Sequence, residues 1–276
     1  MDIFFKFSFY RCYRLIVSFF VSTKFPFFLQ KFLQFIFFKC IRFSPLNTDT
    51  SIKVYPSLQD FFTREAEGDF VHDQVGVFSP VEAMIQCQGT VQSGQVLQAK
   101  GLSYELSQLI PSDLGAKFEG ATFATLYLAP TDCHRIYAPL TGKLLSVHHI
   151  AGHFWPVRQP WLQRVPGLYA QNERVIGVFD LPSCMLVMVM VAAFNVGSIT
   201  VCFEPYSFRS TTYGDYSMHQ FPSPILLTQG QHMATFHLGS TVILFCQPKP
   251  GFTIASVKKT QDKLFIGDSL FSLNQG

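Results

Sequence analysis

Hydrophobic and polar positions follow three different rhythms along the chain. Up to Phe43, apolar and aromatic residues run nearly unbroken except for single Lys or Arg residues. Two helices are expected there, over Phe4–Val21 and Phe27–Arg42, separated by Pro26, whose ring cannot continue a helix. Residues 44–60 carry Pro45, Asn47, Pro56 and several Ser and Thr, the composition of a linker. Beyond it, alternating or β-branched runs predict strands at Thr90–Leu97, Thr122–Leu128, Gly142–Val147, Arg174–Phe179, Leu186–Val191, Ser198–Phe203 and Thr241–Phe245. Short helices are expected at Leu102–Leu109 and from about Ser57 to Arg64. Gly and Pro punctuate this part at short intervals, and no heptad, repeat or low-complexity tract interrupts it. The pattern predicts an α+β protein: N-terminal amphipathic helices (1–43), a linker (44–60) and a β-rich, mostly antiparallel core (61–276).

Charge divides the chain at the same place. Met1–Phe43 holds seven Lys or Arg, one acid and 14 of the 31 Phe, so it is +6 in a protein whose net charge is only +3. The longest uncharged run in it, Leu15–Thr23, is nine residues, too short for a span of about 20. No small-residue cleavage site follows Leu15–Val21, which argues against a secretory signal. Aromatic residues interleaved with bases suit a helix lying in a membrane interface, rings at the headgroup boundary and cations on anionic lipid phosphates. A helical hairpin packed on the body of the protein is the alternative. Seven cysteines with no disulfide pattern are expected as reduced thiols in a cytosolic compartment, so with the first reading a peripheral position on the cytoplasmic side of the cell membrane is expected. The remainder of the chain is −3, so the N-terminal segment would be the anchor, and nothing in the charge balance points to nucleic acid.

Seven cysteines without a CxxC pair exclude a disulfide framework and a zinc ribbon as the organising principle, and no metal site is expected. No GxGxxG, P-loop or HExxH is present. One short motif can carry chemistry. In Leu238-Gly239-Ser240-Thr241, ahead of the apolar run Val242–Phe245, a hydroxyl follows an unhindered glycyl carbonyl. In a strained turn, Ser240 Oγ can attack the Gly239 carbonyl to give an ester, and elimination and hydrolysis then leave a pyruvoyl group. By itself the tripeptide also fits an ordinary turn before a strand.

Longer fragments set that motif in context. In order they are Phe61-Phe62-Thr63-Arg64, Ser79-Pro80-Val81-Glu82-Ala83, Leu97–Tyr104 (LQAKGLSY), Tyr127–Arg135 (YLAPTDCHR), Ala170–Val175 (AQNERV), Asn195–Ile199 (NVGSI) and the LGST sequence near the C-terminus. With these the chain resembles the phosphatidylserine decarboxylases, specifically the bacterial membrane-associated proenzymes. The resemblance implies cleavage between Gly239 and Ser240 into a β chain (1–239) and an α chain (240–276) that stay together. It implies a covalent pyruvoyl cofactor made from Ser240, whose ketone takes up the amine of phosphatidylserine and serves as electron sink while carbon dioxide leaves. Phosphatidylethanolamine is the product, an anionic membrane surface the site of action, and a homodimer a common assembly. His134 matches the His associated with positioning or protonating substrate.

Two members of the family's self-processing set are changed in this chain. The family's second His, the base for self-cleavage, is here Tyr137, and its paired Asp is here Glu82, followed by Ala83 in place of Gly. The Asp-His-Ser set therefore reads Glu82, Tyr137 and Ser240, and a phenol of pKa about 10 is a poor base at neutral pH. On this reading a His restored at 137 would speed cleavage. His232, His237, His148, His149 and His153 are candidate replacements. Three functions stay open: a self-processed decarboxylase, a degenerate membrane lipid-binding relative that never cleaves, and an unprocessed enzyme using Ser240 in acyl transfer.

Overall fold

The computed structural model describes residues 17, 19–40, 54–66, 68, 70, 76–99, 102–193, 198–203, 206–209, 216–237 and 239–276. Most of the expected first helix, part of the linker, Asn195–Gly197 and Leu238 lie outside these residues.

Two helices come first, α1 (Phe27–Cys40) and α2 (Leu58–Phe62). The strands follow as β1 (Gly76–Phe78), β2 (Ala83–Thr90), β3 (Gln95–Ala99), β4 (Leu102–Glu105), β5 (Thr122–Leu128) and β6 (Arg135–Tyr137). Next are β7 (Gly142–Ile150), β8 (Arg174–Asp180), β9 (Cys184–Ala192), β10 (Ile199–Phe203), β11 (Tyr206–Arg209) and β12 (Tyr216–Leu227). The last are β13 (His232–Phe236), β14 (Ser240–Pro248), β15 (Phe252–Ser256), β16 (Lys263–Leu264) and β17 (Ser269–Gln275).

An eight-stranded sheet in the order β12-β7-β8-β9-β14-β5-β2-β16 forms the body, and a four-stranded sheet β11-β10-β13-β6 carries residues that flank the Gly-Ser bond. Every pairing between these strands is antiparallel, so the expected α+β, β-rich class holds. β14 is central: Ser240 stands opposite Leu128 on one side and Ala192 on the other. Period-2 alternation sends its side chains into two separate cores. Val242, Leu244 and Cys246 join the cluster containing Ile136, Ile199 and Phe236 of the four-stranded sheet. Ile243 and Phe245 join the opposite cluster with Val96, Leu109 and Tyr169. Ser240 is in phase with Val242, so it belongs to the layer between the eight- and four-stranded sheets.

Several expectations need correction. The strand expected over Thr90–Leu97 is interrupted by a turn, with Ser93 and Gly94 at positive φ, which separates β2 from β3. Leu102–Leu109 is a strand followed by a single helical turn, because Leu102–Glu105 pairs with Gln95–Ala99. Residues 54–60 of the expected linker are packed: Tyr55 N–H donates to Gln34 Oε1 at 3.3 Å, and Ser57 caps α2 through its Oγ on Asp60 N–H at 3.1 Å. β12 was not foreseen, since Pro222 and Pro224 argue against a strand. It is tolerated as the edge of the sheet, where the missing N–H groups cost no ladder bond, and its register shifts between Gln220 and Ile225.

α1 is amphipathic in an inverted sense. Gln30, Gln34 and Phe38, spaced four apart, are its buried stripe, and Phe38 packs with Phe61 and Phe62. Its exposed face carries Phe27, Phe28, Phe32, Phe35 and Ile36, with Phe28 85% exposed. Lys24, Lys31 and Lys39 are exposed on or beside the same helix. No helix among the described residues is long and apolar enough to cross a membrane.

Candidate active site

The Gly239–Ser240 bond sits where the connection from β13 enters the central strand. Gly239 has φ +49°, the left-handed region that side chains disfavour, so the glycine is required by the turn. Its carbonyl oxygen accepts the Ala193 N–H at 3.1 Å. A donor on that oxygen polarises the carbonyl and is placed to stabilise negative charge developing there. Ser240 is fully buried, and its hydroxyl has no hydrogen-bond partner among the described residues. A buried hydroxyl left unpaired costs about 1–3 kcal/mol and is left available for other chemistry.

His134 is reached by following the sheet from Ser240. Leu128, the cross-strand partner of Ser240, ends β5, and the loop 129–133 leads to His134 at the start of β6. His134 O accepts the Phe236 N–H at 2.9 Å, which extends the β6–β13 ladder to a point four residues before Ser240. The ring is fully buried, edge-on to Phe62 at 5.1 Å between centroids. Its Nδ1 lies 2.8 Å from the Asp132 carbonyl oxygen. A carbonyl only accepts, so Nδ1 carries the proton and, in the neutral ring, Nε2 is a bare lone pair. That Nε2 is buried without a partner among the described residues. Burial pushes the ring pKa down to about 4, so the ring is neutral at pH 7.

The loop holding His134 is fastened by charge. Asp132 is buried and accepts the Ala129 N–H at 2.9 Å and the Lys263 ammonium at 2.5 Å. Glu82 accepts the Cys133 N–H at 2.9 Å and pairs with Lys263 at 3.2 Å. Arg64 donates to the Thr131 carbonyl at 2.8 Å. Asp132 and Lys263 were not singled out from the sequence. Asp132 sits inside the YLAPTDCHR fragment and offered a signal there, whereas Lys263 lies more than a hundred residues from its partners and offered none.

The three residues expected as a triad are not hydrogen-bonded to one another. Glu82 serves the backbone of Cys133. Tyr137 OH accepts the Ala66 N–H at 3.3 Å, and its ring packs against Phe70 and His232. Along β6, Tyr137 lies three residues, about 10 Å, beyond His134, away from Phe236. It is also out of phase with Ile136, which faces the layer containing Val242. Burial raises its phenol pKa further, against a role as base.

The five candidate replacement histidines are engaged elsewhere. His237 bridges Gln59 through Nδ1 at 2.8 Å and Thr200 through Nε2 at 2.7 Å. His232 stands across from Tyr137 at the far end of β13, with Nε2 near the Ala234 carbonyl at 3.0 Å and Thr235 Oγ1 at 2.9 Å. His148 and His149 lie on β7, three strands from β14, bonded to Tyr216 and Glu173 respectively. His153 pairs by its backbone with Gln171.

Comparison with known proteins identifies a family. The family model described as phosphatidylserine decarboxylase matches residues 58–272. A phosphatidylserine decarboxylase proenzyme of Anaeromyxobacter sp. (strain K) is 35% identical over 213 residues, 74% of each chain. One from Bordetella avium is 37% identical over 205 residues, 70% of this chain and 68% of its own. One from Shewanella denitrificans is 32% identical over 239 residues, 81% of this chain and 80% of its own.

Proposed function

The chain belongs to the phosphatidylserine decarboxylase family, and on that premise we propose that it cleaves itself at Gly239–Ser240 and decarboxylates phosphatidylserine to phosphatidylethanolamine. One observation carries the reading. A left-handed glycine, a scissile carbonyl already hydrogen-bonded by Ala193 N–H, and a buried serine hydroxyl with nothing else to do occur at one peptide bond.

Ser240 Oγ adds to the Gly239 carbonyl carbon, and the oxygen taking up charge is the one that accepts the Ala193 N–H. Collapse breaks the C–N bond and leaves an ester with a free amine on Ser240. Loss of the Cα proton expels the Gly239 carboxylate, and water replaces the nitrogen, releasing ammonia; no oxidant is consumed. The residues present fit the pyruvoyl group that results. When present, that group supplies an electron-accepting carbonyl for loss of carbon dioxide from the substrate. The protein's part is to exclude water and position the substrate amine, and to manage protons at His134 Nε2. Glu82, Asp132 and Lys263 hold the His134 loop in place; Tyr137 packs that region from the other side. After cleavage, residues 240–276 stay because β14 is hydrogen-bonded on both sides and Lys263 pairs with Asp132.

The substrate is a lipid, and α1 is built to meet it. A helix that buries glutamines and exposes phenylalanines beside lysines suits the interface of an anionic membrane. Peripheral attachment on the cytoplasmic side is the proposed location. The test is production of phosphatidylethanolamine from phosphatidylserine vesicles by the purified chain, with Ser240→Ala as control. Product from wild type alone supports the reading. Absence of product from an intact, vesicle-bound wild type favours the lipid-binding relative instead. Replacing Phe28, Phe32 and Phe35 with Ser is expected to weaken sedimentation with anionic vesicles at least 10-fold without lowering the melting temperature of the body. Unchanged binding would refute the anchor.

A further inference from the structure

Family membership leaves this chain with a serine nucleophile and a tyrosine where a base is expected. We infer that His134 is the base that starts self-cleavage, a role that rests on the self-processing proposed above.

Two unpaired polar atoms carry the inference. Among the described residues, Ser240 Oγ is a buried donor lacking an acceptor, and His134 Nε2 is a buried acceptor lacking a donor. Each supplies what the other lacks. They lie at one end of the fold: Ser240 is paired with Leu128, from which six residues lead to His134, and His134 O is held by the N–H of Phe236, four residues before Ser240. Strand phase assigns them to one layer. Ser240 is in phase with Val242, His134 is in phase with Ile136, and Val242 and Ile136 share one core cluster. The protonation state is also set, since the Asp132 carbonyl keeps the proton on Nδ1. Arg64 and Glu82 are the charged groups acting on the ring, in opposite directions, and burial outweighs both in keeping it neutral at pH 7.

The step balances without another reactant. Nε2 takes the Oγ proton as the Oγ–C bond to Gly239 forms. The same proton then passes from Nε2 to the Ser240 nitrogen as the C–N bond breaks, and His134 ends neutral. The hydrogen bond between Oγ and Nε2 forms as the hydroxyl swings into its attack position, a tightening common to catalytic hydrogen bonds.

The test follows cleavage of freshly synthesised full-length chain by intact mass over time, in wild type, His134→Gln, His232→Gln and His237→Gln. His134→Gln is expected to slow cleavage at least 100-fold, and the other two to stay within 3-fold of wild type. A structural role for His134 is separated by a nucleophile needing less help: Ser240→Cys, whose thiol has a pKa near 8.5. Treated with hydroxylamine, the double variant His134→Gln/Ser240→Cys is expected to split between 239 and 240 as Ser240→Cys alone does. If the double variant stays whole while Ser240→Cys splits, His134 shapes the site and is not its base. Cleavage of His134→Gln at the wild-type rate overturns the inference and leaves the self-processing reading standing. A wild type that never cleaves removes both.

Discussion

The two ends of the β6–β13 ladder differ in what their polar side chains lack. At the Tyr137 end the two facing side chains have partners: the phenol oxygen bonds Ala66 N–H, and His232 Nε2 lies near Ala234 O and Thr235 Oγ1. At the His134 end a ring nitrogen and a serine hydroxyl are buried with no partner among the described residues. Hydrogen-bonded groups stabilise, whereas an orphaned buried group lowers stability and calls for an explanation, readiness for chemistry being one. The comparison is what supports the proposal that His134, and not Tyr137, serves the self-cleavage chemistry.

Substitutions at the two ends should therefore have unequal effects. The largest is expected for Ser240→Ala, which removes the nucleophile: mass spectrometry should show only intact chain, and any cleavage at 239/240 would break the account. Gly239→Ala comes next. A side chain at φ +49° costs about 1–2 kcal/mol, and cleavage should slow roughly 10-fold as the turn relaxes. Third is the response to acid. His134 is held neutral in the folded chain, with a pKa lowered to about 4, while the unfolded chain binds a proton near pH 6.5. Stability is therefore complete above about pH 6.5 and declines as the pH falls toward 4, by about 3 kcal/mol at most from this residue. Denaturant titrations at several pH values should show this dependence flattened in His134→Gln, with His148 and His232, lowered in the same direction by burial, accounting for the rest. The smallest effects are expected at Tyr137. Tyr137→Phe should cost about 1 kcal/mol for the lost Ala66 bond and leave cleavage within 2-fold. Tyr137→His should give no gain, contrary to the expectation from the motif alone, because position 137 points away from the Ser240 layer. A large gain would restore the residue to the machinery.

Much of the body was legible from alternation. Thr122–Leu128 is a strand over its full predicted length, and the runs around Arg174, Leu186 and Thr241 are neighbours in one sheet. The motifs located Ser240 and His134, since both lie in short contiguous fragments. Facing direction was not legible. Spacing in a motif says that 134 and 137 are near in sequence, but in a strand three residues reverse the face and add about 10 Å. The role of Lys263 depends on β16 pairing with β2, a long-range contact with no local signature. The inverted pattern of α1 was half visible: the Phe-rich composition pointed to an apolar partner, but only packing shows that Gln30 and Gln34 take the protein side.

The central claim is that Gly239–Ser240 opens although the expected base is a tyrosine. Intact mass of the purified full-length chain tests it most directly. The account predicts two associated chains of about 27 and 4 kDa by length, the smaller blocked at its N-terminus by the pyruvoyl group derived from Ser240. A single species at 31.3 kDa would contradict it.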